Sequence, residues 1–113
     1  MKIKIQVPIF YTTITVSDNP DEVFYTDHDR ELARNSYGQT GWYEGRGVSM
    51  YIEPSAPMDV LVHECVHAAG IILKMRGIQY STPPDDEALA YLTGWIYDKI
   101  PKKVKALKES KCS

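Results

Sequence analysis

Residues 57–77, PMDVLVHECVHAAGIILKMRG, constrain this chain more than any other stretch. The run is too long and too continuously apolar for a strand, and it carries hydrophobic residues at helical spacing. Asp59 sits where a helix favours an acidic residue in its first turn, and Gly77 supplies the stop. In a chain of 113 residues, a helix of this length must be a main axis of the only core the domain can build. Val62, Val66, Ala69 and Leu73 form the stripe expected to face that core, with Cys65 near its edge. His63, Glu64, His67, Ile71 and Lys74 fall largely on the other side.

Four positions separate His63 from His67, so on a helix the two imidazoles share a face about 40° apart around the axis, with Glu64 beside them. Two neutral imidazole nitrogens aimed at one point suit zinc, which binds nitrogen at roughly 2.0–2.1 Å and in catalytic sites keeps a position open for water. Glu64 is too close in sequence to be a convenient third ligand, but it is placed to take a proton from such a water. The competing reading is a pair of partly buried histidines with no metal. It is disfavoured because two of only three histidines in the chain flank a glutamate in the one spacing that suits zinc. For the third ligand Glu87 is preferred: nineteen residues separate it from His67, and it begins a second helix able to pack beside the first. Asp85, Asp86 and His28 are its rivals, and a plain helix-start glutamate is its bland alternative. Cys65, between the histidines, has no general base pointed at it and reads as a small buried hydrophobe.

Before the motif, residues 2–7 alternate Lys, Ile, Lys, Ile, Gln, Val, the period of a strand with one buried face, and Pro8 interrupts them. Residues 9–16, IFYTTITV, suggest a second strand, and residues 17–21, SDNPD, a turn. The second half of residues 22–36 reads as a short helix. Residues 39–43 and 47–53 are two aromatic and β-branched stretches around a hairpin-like turn, and residues 48–53 are either a strand bordering the cleft or, equally, an ordinary core strand with no substrate role. These elements predict an α+β domain, with a small antiparallel sheet of three to four strands packed on two main helices. The second main helix spans residues 87–99, with Leu89, Leu92 and Ile96 inward and Glu87, Tyr91, Gly94 and Asp98 on another face. Gly94 is expected to permit close approach of the motif helix, and Pro101 to end its own. Domain limits follow at 1–101, with a basic tail at 102–113 carrying five lysines against one glutamate and expected to be solvated, as a frayed helix or disordered.

Composition excludes little beyond extremes. A net charge of −2 with 25% charged residues carries no overall basic excess for nucleic acid. Two cysteines are no disulfide framework, so a cytoplasmic setting is the simpler expectation. No apolar run is long enough to span a bilayer, and the polar alternation of residues 1–16 breaks any signal-peptide core.

His63 to His67 is the HExxH motif of zinc-dependent peptidases. HECVHA with a later DDEALAYLTGW resembles the small single-domain, gluzincin-like metallopeptidases of bacteriophages and mobile elements, over about residues 48–98. The metzincin pattern is rejected, because Leu73 stands where its third histidine belongs. The resemblance implies a minimal zincin-like fold with zinc bound by His63, His67 and Glu87 and with Glu64 as general base. It implies amide hydrolysis on a protein or peptide substrate, for instance a host bacterial protein, in the cytoplasm of a bacterial or phage-infected cell. Departures from the thermolysin pattern are Tyr91, where an aspartate often supports a ligand histidine, and the lack of a separate oxyanion-binding histidine. Tyr91, one turn past Glu87, is the candidate for that second catalytic role, ahead of Tyr43, Tyr51, Tyr80 and His28. The alternative of a different class is a zinc-containing binding or inhibitor protein with little or no catalysis.

Overall fold

The computed structural model describes residues 1–79 and 86–112, with side chains as far as Lys102. β1 (Lys2–Val7) buries Ile3, Ile5 and Val7 and exposes the residues between, the alternation of a strand covered on one face. β2 (Thr12–Ser17) pairs antiparallel with it, Ile5 opposite Ile14. The second strand starts at Thr12 instead of Ile9, because Ile9 and Tyr11 adopt φ of 73° and 51°, left-handed values that close a turn and cannot continue a strand. Arg76 holds that turn by donating to the carbonyls of Phe10 and Tyr11 at 2.7 and 3.1 Å.

Two short helices follow. α1 (Pro20–Val23) is capped by Asn19, whose side chain accepts from the Asp21 N–H at 3.0 Å, so part of the expected turn is helical. α2 (Asp27–Arg34) is the expected short helix, capped by Thr26 accepting from the Asp29 N–H at 3.1 Å. β3 (Gly38–Tyr43) and β4 (Gly47–Ile52) then form the hairpin. Its glycine at position 47 has φ 86°, and a Cβ there would lie 2.5 Å from the Thr13 carbonyl oxygen, so no other residue fits where β4 begins against β2.

Sheet order is β1-β2-β4-β3. Two pairings are antiparallel, and β2 with β4 is parallel, Ile14 opposite Val48. The parallel pair arises because α1, α2 and β3 intervene before the chain returns beside β2. An α+β domain results, with four strands packed on helices, as the pattern predicts. Two expectations are corrected: the sheet is mixed and not antiparallel, because β2 and β4 run parallel, and β4 is flanked on both sides and buried on both faces, so residues 48–53 offer no free edge to a substrate. The free edge nearest the motif helix belongs to β3.

α3 (Met58–Met75) and α4 (Asp86–Cys112) pack together against one face of the sheet, and α1 and α2 against the other. The main core joins Ile5, Ile14, Val48 and Met50 of the sheet to Cys65, Ala68, Ala69, Ile72 and Leu73 of α3 and to Leu92, Ile96 and Ile100 of α4. Its α3 face keeps Ala69 and Leu73 of the expected stripe, both fully buried, but turns away from Val62 and Val66, which are 41% and 40% exposed, and toward Cys65, Ala68 and Ile72, which are sealed. Cys65, Ala68 and Ile72 are spaced as regularly as the valines and are mostly smaller, so this face lets the helix sit closer to the sheet. The rotation sends the two histidines outward and brings Glu64 inward.

α4 corrects two further expectations. It continues through Pro101 to Cys112, so the segment after residue 101 is helical. Pro101 and Lys102 are exposed, which lets water replace the hydrogen bond that the proline withdraws from the carbonyl four residues back. Gly94 is exposed, and a Cβ there would meet nothing within 4 Å, so it does not mediate helix approach. Leu92 and Ile96, with Leu89 partly buried, form the expected inner stripe, and Ile100 extends it.

Candidate functional site

On the solvent face of α3 the sequence pattern produces the expected convergence. His63 Nε2 and His67 Nε2 lie 2.9 Å apart, with ring centroids 4.6 Å apart and planes at 79°. Without metal this is a hydrogen bond in which one imidazole donates and the other accepts. Zinc held tetrahedrally at about 2.0–2.1 Å by both atoms would set them about 3.3 Å apart. The observed separation is a few tenths of an ångström shorter, and both rings are exposed and free to turn by that amount. The donor set therefore fits zinc as a two-histidine half-site.

Glu64 faces differently from its neighbours. It is 5% exposed, lodged between α3 and the start of β3. The Thr40 hydroxyl donates to Glu64 Oε1 at 2.7 Å. Room for the side chain comes from Gly38, where a Cβ would lie 2.8 Å from Glu64 Cγ and 3.0 Å from Val60 Cγ1. His63 and Glu64 both line an open cleft of about 580 Å³ with Tyr37, Gly38, Asp59, Val60 and Val62. Glu64 and His63 thus meet one space, from adjacent faces of one helix.

Glu87 is exposed in the first turn of α4. Among the described residues no three His, Cys, Asp or Glu side chains gather as a metal-binding group, so Glu87, Asp86 and His28 do not join the pair in this arrangement. Asp85 and Tyr80 lie outside the described residues. Leu89 of α4 shares a smaller cleft of about 290 Å³ with His67, Val66, Gly70, Ile71 and Lys74. The start of α4 is therefore beside His67, with Leu89 meeting the cleft.

Tyrosine placement separates the phenol candidates. Tyr91 is 76% exposed on α4. Tyr43 belongs to the opposite face of the sheet, where its hydroxyl donates to Asp29 and accepts from the Tyr25 N–H; burial first, and then that bond to Asp29, raise its pKa. Tyr51 is buried in the same cluster, and desolvation raises it likewise. Tyr37, which the sequence reading passed over, lines the cleft with His63 and Glu64. Asp59, read there only as a helix-start acid, lines it too, and its position four residues before His63 was the available signal. Tyr37 had none, since it depends on where β3 crosses α3. Cys65 is fully buried, and burial, with a lesser push from the Glu64 charge, drives its thiol up to about 12, which makes it a packing residue.

Among the described residues no helix is long and apolar enough to cross a membrane. Comparison with protein-family models, with curated proteins and with solved structures finds no match to this chain.

Proposed function

We propose that the chain is a zinc-dependent peptidase of the HExxH kind, gluzincin-like in its ligand set and acting on a specific protein partner within a bacterial or phage-infected cell. The observation that carries the reading is the 2.9 Å approach of His63 Nε2 and His67 Nε2 on an open face, beside a cleft that also holds Glu64. When bound, zinc supplies a Lewis acid that lowers the pKa of water toward about 7 and polarises a carbonyl. His63 and His67 would hold it, and Glu87, at the start of the neighbouring helix, is the third donor we propose, one that would have to move to reach the pair. Glu64 takes the proton from water and returns it to the leaving amine nitrogen. Tyr37, on the cleft, and Tyr91, one turn past Glu87, are the two phenols offered to the oxyanion; replacing each with Phe tells which one serves.

A second reading is supported by the same site. Two ligands meet among the described residues and Glu64 is largely covered, as in a zinc-containing binding or inhibitor protein without catalysis. Metal analysis of protein purified without chelator, with cleavage of a mixed fluorogenic peptide library by parent and Glu64→Gln protein, separates them. One zinc per chain and cleavage lost in the variant support the peptidase. Absence of stoichiometric zinc refutes both readings, and equal activity in Glu64→Gln refutes the role of the base. Zinc without cleavage by the parent favours the binding protein.

A further inference from the structure

Glu64 carries three rotatable side-chain bonds, and nothing in the HExxH spacing says what holds its carboxylate still. Two residues of β3 do so here. Gly38 and Thr40 stand two apart on the strand and so share the face turned toward α3. Gly38 leaves the gap into which Glu64 Cγ fits. Thr40 donates its single hydroxyl proton to Oε1 at 2.7 Å, in preference to the Glu64 carbonyl at 3.4 Å. Oε2 has no hydrogen bond among the described residues, nor is it among the sealed polar atoms without a partner; it is the oxygen left to the cleft that His63 also lines.

We infer that Thr40 is a positioning residue for the base. It ties one carboxylate oxygen to the edge strand so that the other stays aimed into the cleft as the proton acceptor. This inference rests on the peptidase reading for its purpose, but the contact stands on its own geometry. It also gives β3 a second role, since the strand with the free edge also holds the reacting carboxylate.

The test combines stability and turnover in full-length protein. Thr40→Val, Thr40→Ser, Glu64→Ala and the double variant Thr40→Val/Glu64→Ala, in which the acceptor oxygen is removed, are unfolded in urea and assayed on the fluorogenic peptide library, each with its zinc content measured. The expected result is coupling: the unfolding constant of the double variant departs from the product of the single effects by more than about twofold. With it, Thr40→Val loses about tenfold or more in kcat with KM and zinc content unchanged, and Thr40→Ser restores the parent values. A purely structural threonine would not split kcat from KM, nor recover activity through the hydroxyl alone. Additive unfolding effects, or a Thr40→Val protein with parent kcat, overturn the inference while leaving the peptidase reading intact. Coupling in a zinc-loaded parent that cleaves no peptide overturns the peptidase reading, and with it the purpose assigned to Thr40.

Discussion

Gly38→Ala places a methyl group where the structure has no space, and its effect can be worked out in advance. Gly38 does not have a positive φ, so alanine costs nothing in backbone conformation. By restricting the unfolded chain it should stabilise by about 0.4–1 kcal/mol. Against that, its Cβ would stand 2.8 Å from Glu64 Cγ, 3.0 Å from Val60 Cγ1 and 3.2 Å from Glu64 Cδ. Overpacking of this kind costs about 1–3 kcal/mol when neighbours must shift. The atoms in the way belong to the stem of a covered side chain, so the steric effect wins, and a net loss of up to about 2.6 kcal/mol is expected. Gly41, three residues along the same strand, is the control. Its added Cβ would lie 3.8 Å from the Phe24 ring, an ordinary contact, so Gly41→Ala should be neutral or stabilising by up to about 1 kcal/mol. Urea unfolding followed by tryptophan fluorescence reads both, with the midpoints moving in opposite directions at unchanged slope. On the proposed peptidase reading, Gly38→Ala should also lower peptide cleavage while leaving zinc content alone, because it displaces Glu64 and not the histidines. A Gly38→Ala protein as stable as Gly41→Ala would refute the close fit between β3 and Glu64.

Other perturbations follow from the same packing. Gly94→Ala, on an exposed helix face with open space around it, should stabilise by up to about 1 kcal/mol in the same urea assay. Cys65, fully buried with its thiol pushed up to about 12, should resist iodoacetamide at pH 8 in native protein and react once urea unfolds the chain, as mass spectrometry would show. Tyr43 has its pKa raised above 10.0 by burial and by the Asp29 carboxylate, so the folded state holds the proton more tightly than the unfolded one. Its contribution is complete below about pH 10 and lost as pH rises through the folded value. Unfolding midpoints measured from pH 9 to 12 should therefore fall less steeply in Tyr43→Phe than in the parent.

The motif helix, the partnership of His63 with His67, the inward stripe of α4 and the β3–β4 hairpin were all legible in the order of residues, because each depends on spacing within one segment. Spacing could not choose between two regular stripes on α3. The valines and the Cys65, Ala68, Ile72 set are equally periodic, and only the distance at which a helix can approach a sheet selects the smaller residues. From that choice follows the burial of Glu64 and its capture by Gly38 and Thr40, residues 24 or more positions away whose single-letter identities carry no hint of it. Sheet order was likewise beyond local reading, since β4 becomes interior only when the chain, after α1, α2 and β3, returns beside β2. Pro101 fails as a stop for a similar reason: its lost hydrogen bond falls where the helix is exposed to water. Local periodicity, then, settled which groups this protein brings to its candidate metal pair. Packing across the sheet decided which way the helix faces, and so which strand holds Glu64.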